Sequence, residues 1–243
     1  MSILCVIPVR GGSKGVPGKN RRLVGGKPLV VWTIEQALAA HPEMDVLVST
    51  DDPQLAEIAR EAGADVPFLR PAELARDETA TEPVILHAIA HREAEGRRPD
   101  AVMLLQATSP VRLPGTIDRA ISQFEQTGVD SLVGVVAQTP FLWRQGEPAF
   151  AHYDIDARPR RQDITADGFF YRETGSLYLT RTEIYQTRGN RLGGNVGLFV
   201  MDDIEGIDID TEIDLNLAAH ELQRVTPGDG ARTEPITSKG TAQ

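Results

Sequence analysis

The stretch "ILCVIPVRGGSKGVPGKN", residues 3–20, decides the fold of this 243-residue chain because it joins a buried strand to a glycine-rich loop. Its first seven residues are apolar throughout, as expected for a strand of a parallel sheet that is covered on both faces. The loop that follows contains four glycines, two lysines and an arginine. Parallel α/β sheets bind ligands where their strands end, so this loop is the first candidate for a binding site.

The rest of the chain alternates between apolar runs and segments with helical periodicity. The runs at 45–50, 101–106 and 131–136 predict strands, and the segments at 27–40, 53–62, 81–96 and 114–126 predict helices, with Thr81 as an N-cap. This alternation predicts an α/β fold, Rossmann-like, with a mostly parallel sheet and helices on both faces. We expect residues 1–225 to form a single domain and the Gly-, Thr- and Pro-rich residues 226–243 to be a disordered tail.

The composition excludes several classes of function. The chain has 25 basic and 35 acidic residues, a net charge of −10, which argues against a general nucleic-acid or membrane-surface binder. The single Cys5 cannot form an internal disulfide and is interpreted as a small buried hydrophobe. The sequence shows no signal peptide and no apolar run long enough to span a membrane. We therefore expect a cytoplasmic protein.

Residues 139–172 interrupt the alternating pattern. They hold a large share of the aromatic residues of the chain together with the basic cluster "RPRRQ" at 158–162. Aromatic and arginine side chains outside the periodic core predict a surface insertion that packs on a partner. From the pattern alone, a long irregular loop of the same domain is a nearly equal alternative.

The chemistry of the glycine loop favours phosphate binding. Its glycines allow backbone N–H groups to approach an anion, and Arg10, Lys14 and Lys19 add positive charge. The loop fits neither standard phosphate-binding pattern, because five residues separate Gly12 from Gly18 and the spacing G-x-G-x-x-G is absent. A structural turn is the alternative interpretation.

The stretch "GIDIDTEIDL", residues 206–215, is the second chemical motif. Asp208 and Asp210 are two residues apart, so in an extended segment both carboxylates point to the same side and can converge on a hard cation. A helix with Thr211 as its N-cap is expected to follow. The alternative is a pair of acidic residues that precede a helix and interact favourably with its dipole.

The spelling of these motifs resembles one enzyme family. "IPVRGGSKGVPGKN" is similar to the loop I-P-A-R-x-G-S-K-G-x-x-x-K-N of the acylneuraminate cytidylyltransferases (CMP-sialic acid synthetases). Segments of the same family resemble "STDD" (49–52), "LRPAELARDETATEP" (69–83), "LLQATSPVR" (104–112), "PRRQD" (159–163), "YRETGSLYL" (171–179) and the acidic motif. Two positions depart from the family spelling, since Ala107 replaces a proline and Thr174 replaces an asparagine.

The resemblance implies an enzyme that joins CTP to a nonulosonic sugar acid and releases pyrophosphate. It implies Mg²⁺ on Asp208 and Asp210, and a homodimer in which the 139–172 insertion reaches the neighbouring subunit. The implied CTP-binding residues are Arg10, Gly11, Ser13, Lys14, Lys19, Asn20, Arg70 and Thr81. The implied sugar-binding residues are Gln106, Thr108, Ser109, Arg160 and Tyr178. The implied catalytic residues are Arg10, Lys19, Asp208 and Asp210.

Three alternative functions stay open at this point. A Kdo cytidylyltransferase performs the same chemistry, and "VPGK" at 16–19 echoes its loop, although "GGSKG" and "KN" favour the nonulosonic branch. A glycosyltransferase would place its D-x-D motif after a central strand rather than near the C-terminus. A non-catalytic binder of nucleotide-sugars is the third. The sequence leaves open which nonulosonic acid is used and whether Arg160 serves its own subunit or the partner.

Overall fold

The structure of the chain, a computed structural model, describes residues 1–12, 15–41, 43–165 and 168–225. Two residues of the glycine loop, Ser13 and Lys14, lie outside the described residues, and so does the stretch 226–243 for which a disordered tail is predicted.

The described part of the chain alternates between strands and helices along most of its length. The helices are α1 (Leu29–Leu38), α2 (Pro53–Glu61), α3 (Thr81–Ala94), α4 (Thr116–Thr127), α5 (Thr182–Arg188) and α6 (Glu212–Val225). The strands are β1 (Ile3–Pro8), β2 (Leu23–Val24), β3 (Lys27–Pro28), β4 (Asp45–Ser49), β5 (Ala101–Leu105), β6 (Ser131–Gln138), β7 (Trp143–Arg144), β8 (Phe150–Ala151), β9 (Phe170–Arg181) and β10 (Val196–Met201).

The central sheet has six strands in the order β10-β6-β9-β5-β1-β4. β1 pairs in parallel with β4 and β5, and β10 pairs in parallel with β6. The exception is β9, which runs antiparallel between β5 and β6. The sheet therefore confirms the predicted α/β fold with a mostly parallel sheet, and β9 is a central strand that the apolar pattern alone did not indicate.

Helices cover both faces of this sheet, as predicted. One face packs on α1, α2 and α4 through a core that includes Ile34, Leu55 and Phe124. The other face packs on α3 and α5 through Ile85 and Tyr185. Burial on both sides explains why β1 is apolar, since each side chain from Ile3 to Ile7 packs in one of these two cores.

Two predicted helices differ from the prediction at their amino ends. Lys27–Pro28 pairs with Leu23–Val24 in a small ladder, so the first helix begins at Leu29. The prediction that Thr81 is an N-cap is wrong, because Ala80 caps α3 and Thr81 is already its first helical residue. An extended residue before the helix is required at the N-cap, and here Ala80 adopts that conformation.

The start of α6 agrees with the prediction. The Asp214 carboxylate accepts hydrogen bonds from the backbone N–H and the hydroxyl of Thr211, and the Asp214 N–H lies 3.3 Å from the Thr211 hydroxyl. These bonds to the carboxylate, first from the Thr211 side chain and then from its backbone, lower the pKa of Asp214. The cap fixes the backbone immediately after the acidic motif.

The segment between β6 and β9 forms a small excursion from the sheet. Trp143–Arg144 and Phe150–Ala151 pair as a short hairpin, and Tyr153 makes edge-to-face contacts with the rings of Phe141 and Trp143. The last residues of the predicted insertion, 170–172, belong to β9 and pair with the end of β6. The division into one domain and a tail stays a prediction. None of the helices in the described residues is long and apolar enough to cross a membrane.

Candidate active site

A cleft of about 410 Å³ opens where β1 and β5 end. Its walls come from four parts of the chain: the glycine loop after β1, the residues 106–108 after β5, the segment 74–84 that leads into α3, and Asp210. All four parts carry motifs that the sequence singled out, although these motifs are spread over residues 10–210 of the chain.

The glycine loop is held against the acidic motif by a shared apolar cluster. Val16 is fully buried and packs in the same cluster as Ile209, the residue between the two motif carboxylates. A Cβ at Gly15 would lie 2.4 Å from the carbonyl oxygen of Asp210, so only glycine permits this approach. The Lys19 ammonium donates to the Ile209 carbonyl at 2.5 Å. The backbone of the loop and that of the motif therefore form one unit.

The motif is also tied to the end of β5. The Ile209 N–H donates to the Thr108 carbonyl at 2.8 Å. The Ser109 hydroxyl lies 3.2 Å from the Asp208 carboxylate and 3.1 Å from the Thr174 carbonyl. The segment directly after β5 thus supplies the cleft residues 106–108 and, through Thr108 and Ser109, holds the acidic motif.

The acidic turn after β4 supports the glycine loop from a second side. The Gly11 N–H donates to the Asp51 carboxylate at 3.1 Å. Asp52 caps α2 through the N–H of Gln54, and a Cβ at Gly11 would lie 2.7 Å from the Asp52 carboxylate. The "STDD" segment therefore supports the loop instead of lining the cleft.

Positive charge predominates among the described residues that line the cleft. The cations are Arg10, Lys19, Arg70 and Arg76, and the carboxylates are Asp77 and Asp210. Arg10 and Lys19 each face one of these carboxylates, Arg10 with Asp77 at 2.5 Å and Lys19 with Asp210 at 3.6 Å. A cleft of this charge suits a ligand that carries several negative charges.

Arg70 is the most buried of these cations, with 7% of its surface exposed. Its guanidinium donates to the hydroxyl and the carbonyl of Ser49 and to the carbonyl of Val9. Burial lowers the pKa of Arg70 to about 10, which leaves it charged at neutral pH. It joins the ends of β1 and β4 at the floor of the cleft and holds a positive charge there.

Asn20 and Thr81 line the cleft from opposite sides. The Asn20 amide nitrogen donates to the Arg10 carbonyl at 3.2 Å, and its buried amide oxygen has no hydrogen-bond partner among the described residues. An unpaired buried acceptor is costly, so this oxygen is available to a hydrogen-bond donor from a ligand or from water. Thr81 lies at the amino end of α3, where the helix dipole favours negative charge.

The acidic motif offers two carboxylates of different exposure. The Asp208 carboxylate contacts Ser109 behind the cleft wall, whereas the Asp210 side chain is 79% exposed inside the cleft. The described residues contain no group of three or more His, Cys, Asp or Glu side chains arranged to hold a metal ion. A pair of carboxylates is a donor set that Mg²⁺ accepts when waters and phosphate oxygens of a substrate complete its coordination, and a magnesium site at Asp208 and Asp210 stays a prediction.

The residues with implied sugar-binding roles separate into two sets. Gln106 and Thr108 line the cleft. Ser109 is fully buried, and the buried Tyr178 donates to the exposed Glu173 carboxylate at 3.0 Å. Burial, followed by the charge of Glu173, raises the pKa of Tyr178 to about 12. Neither of these two buried residues lines the cleft, and their roles toward the sugar stay predictions.

Arg160 lies apart from the cleft, in the excursion between β6 and β9. Its side chain is 72% exposed and pairs with Asp163 at 2.6 Å. Within one subunit, the described residues that line the cleft do not include it. A role for Arg160 toward the substrate stays a prediction.

The segment 74–80 contributes cleft residues that the sequence argument missed. Arg76, Asp77, Thr79 and Ala80 line the cleft between Arg70 and Thr81, both of which were predicted to bind the nucleotide. Their position in the sequence between two predicted nucleotide-binding residues could have indicated that they line the cleft. Their irregular spacing offered no periodic pattern from which to infer their orientation.

Comparisons with known proteins agree with this geometry. A family model described as cytidylyltransferase matches residues 4–205. A CMP-N,N'-diacetyllegionaminic acid synthase of Legionella pneumophila is 35% identical and the match covers 88% of this chain and 93% of that protein. A pseudaminic acid cytidylyltransferase of Campylobacter jejuni is 29% identical over 90% of this chain and 95% of that protein. An N-acylneuraminate cytidylyltransferase A of Danio rerio is 31% identical over 91% of this chain and 51% of that longer protein.

Solved structures share the fold. A CMP-2-keto-3-deoxy-manno-octonic acid synthetase complexed with CTP superposes with a TM-score of 0.68 at 20% identity, covering 92% of this chain and 99% of that chain. A 4-diphosphocytidyl-2C-methyl-D-erythritol synthase from Anaerococcus prevotii superposes with a TM-score of 0.64 at 12% identity, with the same coverage. At these identities the likeness concerns the fold alone, and it confirms the Rossmann-like prediction.

Proposed function

This chain belongs to the cytidylyltransferase family, and from that premise we propose that it transfers a cytidylyl group from CTP to a nonulosonic sugar acid. The products are the CMP-sugar and pyrophosphate. The anomeric hydroxyl of the sugar acid attacks the α-phosphorus and the new P–O bond forms. The bond from the α-phosphorus to the pyrophosphate oxygen breaks, and the hydroxyl proton passes to water.

One observation carries this proposal: the three motifs converge on one cleft through direct backbone contacts. Lys19 of the loop donates to the Ile209 carbonyl, and the Ile209 N–H donates to the Thr108 carbonyl. A structural turn with no ligand would not require a polyanion-binding loop, a strand end and an acidic pair to meet. Phosphoryl transfer needs positioning and neutralisation of charge, and this arrangement supplies both.

The cationic residues divide the recognition of CTP between them. Arg10 and Lys19 at the mouth of the cleft would bind the triphosphate, together with the N–H groups of the loop. Arg70 at the floor and the unpaired amide oxygen of Asn20 would bind the nucleoside. Ser13 and Lys14 are proposed to join the triphosphate site on the family spelling of the loop alone.

Asp208 and Asp210 would hold Mg²⁺ beside the triphosphate. When bound, the ion supplies neutralisation of charge on the phosphate oxygens. The protein contributes the geometry: Ser109 orients Asp208, the cap formed by Thr211 and Asp214 fixes the backbone after Asp210, and Lys19 lies 3.6 Å from the Asp210 carboxylate. Among the described residues that line the cleft there is no His or Glu that would serve as a general base.

A homodimer is part of the proposal. The excursion between β6 and β9 exposes the large apolar side chains Trp143, Phe150 and Ile155, each more than half accessible in one subunit. Exposed aromatic residues together with arginines are typical of protein interfaces. A partner subunit packed on this excursion would bring Arg160 toward a neighbouring cleft, where its guanidinium could pair with the carboxylate of a sugar acid. The expected cytoplasmic location stays a prediction.

The decisive experiment measures pyrophosphate release from CTP and Mg²⁺ in the presence of a panel of sugar acids. The panel contains N,N'-diacetyllegionaminic, pseudaminic and N-acetylneuraminic acids and Kdo, with ATP, GTP and UTP as nucleotide controls. We expect release with CTP and at least one nonulosonic acid, and little with Kdo. Turnover of Kdo alone would support the Kdo alternative, and no turnover with any acid would contradict the proposed activity.

A further inference from the structure

The carboxylate of Asp77 contacts Arg10, a residue that the proposed function assigns to the phosphate groups of CTP. Arg10 follows β1, and Asp77 lies on the opposite wall, between the turn 72–74 and α3. The two side chains meet at 2.5 Å between a guanidinium nitrogen and a carboxylate oxygen. Arginine binds carboxylate and phosphate oxygens through the same donors, so this donor of Arg10 cannot serve both anions at full strength.

Asp77 differs from the other acidic residue of the cleft. Asp210 also faces a cation, Lys19, but at 3.6 Å, and it belongs to the proposed metal pair. Asp77 has no part in that pair, and its negative charge would repel a triphosphate bound to Arg10. A carboxylate placed there weakens nucleotide binding, so its contact with Arg10 calls for a function.

We propose that Asp77 is an internal competitor of the phosphate groups for Arg10. In the nucleotide-free protein its carboxylate pairs with Arg10. CTP displaces it, and it returns to Arg10 as pyrophosphate leaves. The consequence is weaker retention of pyrophosphate, which favours product release and opposes the reverse reaction. This inference rests on the proposed function, because it takes Arg10 as a ligand of the triphosphate.

The local structure allows this exchange without rebuilding the loop. The Asp77 side chain is 48% exposed and that of Arg10 is 31% exposed, so both can move into solvent. The backbone around Asp77 is held independently, since the Thr79 N–H donates to the Arg76 carbonyl and the Thr79 hydroxyl donates to the Glu73 carbonyl. Displacement therefore needs a side-chain rotation and leaves the wall of the cleft in place.

The test compares Asp77→Asn with Glu78→Gln, which removes the same charge from the neighbouring position. Glu78 is exposed and is not among the described residues that line the cleft. Dissociation constants of CTP and of inorganic pyrophosphate are measured by calorimetry in the presence of a chelator, so that metal binding does not contribute. We expect Asp77→Asn to bind both ligands about fivefold more tightly, the scale of one partly exposed ion pair, and Glu78→Gln to stay within about twofold of the unchanged protein.

The direction of the change separates the outcomes. Weaker or unchanged binding of CTP by Asp77→Asn overturns the inference, because it means that Asp77 orients Arg10 for the nucleotide. In an Arg10→Gln background the gain from Asp77→Asn should be smaller than in the unchanged protein. A gain of full size there would mean that Asp77 does not act through Arg10, and it would also overturn the inference. If the unchanged protein binds no CTP, the proposed function fails as well; normal CTP binding without the gain contradicts the inference alone.

Discussion

The cleft and the excursion between β6 and β9 contrast in how completely a single subunit assembles them. In the cleft, each motif is joined to the next by backbone hydrogen bonds and by a buried cluster that contains Val16 and Ile209. In the excursion, Trp143 and Phe150 are exposed, and Arg160 contacts its near neighbour Asp163. A cleft residue is held in one position by the core of its own subunit. An exposed arginine is positioned for a substrate only when another surface packs on it.

The largest effect is expected from Asp210→Ala, which removes the carboxylate that the core presents to the cleft. Because Asp210 is 79% exposed, its loss should leave the melting temperature nearly unchanged. Loss of one group that stabilises developing charge lowers turnover by roughly 100-fold to 1000-fold. Pyrophosphate release at saturating CTP and sugar acid measures this effect.

The matched control for Asp210→Ala is Asp203→Ala, an exposed carboxylate seven residues earlier. It should retain activity within about twofold, in keeping with an exposed position away from any special feature. Normal pyrophosphate release by Asp210→Ala would end the assignment of the acidic motif to the metal and to catalysis.

The next largest effect is expected from Arg160→Ala, which tests whether the excursion contributes to binding of the sugar acid. If its guanidinium binds the carboxylate of the sugar acid, Arg160→Ala should lower kcat/KM for the sugar by about tenfold to 100-fold, the value of a charge-assisted hydrogen bond, and leave the KM for CTP unchanged. Arg161→Ala is the matched control, since it removes the adjacent exposed arginine. Equal losses in both variants would indicate a general effect of charge.

Mixing two impaired variants tests whether Arg160 acts across a dimer. In a random mixture of Arg160→Ala and Asp210→Ala subunits, half of the dimers are heterodimers. Each heterodimer has one intact site if Arg160 serves its partner, so about a quarter of the full activity should return. No recovery, in a mixture that sedimentation shows to contain dimers, would assign Arg160 to its own subunit. A monomeric protein would contradict the proposed dimer.

The sequence predicted the parts of this molecule that follow a periodic or chemical rule. The apolar run of β1 and the alternation of strands with helices indicate the sheet, and the D-x-D spacing indicates a pair of carboxylates. β9 was not predicted as a strand because its first third, residues 170–173, is exposed and carries charged residues. The contact between Arg10 and Asp77 joins residues 67 positions apart, and no local pattern determines such a pair.

The smallest effect is expected from a pair of glycines in the loop, and it tests whether the contact between loop and motif is required. A Cβ at Gly15 would lie 2.4 Å from the Asp210 carbonyl oxygen, whereas a Cβ at Gly12, its chain neighbours aside, has no heavy atom of the described residues within 4 Å. Overpacking costs about 1–3 kcal/mol, so Gly15→Ala should lower the melting temperature by roughly 2–10 °C, and Gly12→Ala should leave it nearly unchanged. Calorimetry of both variants measures the difference. Because the steric cost falls on the backbone that carries Asp210, Gly15→Ala should also lower pyrophosphate release. Equal stability of the two variants would mean that the loop can move away from the acidic motif. The subunit would then hold the cleft no more rigidly than the excursion between β6 and β9.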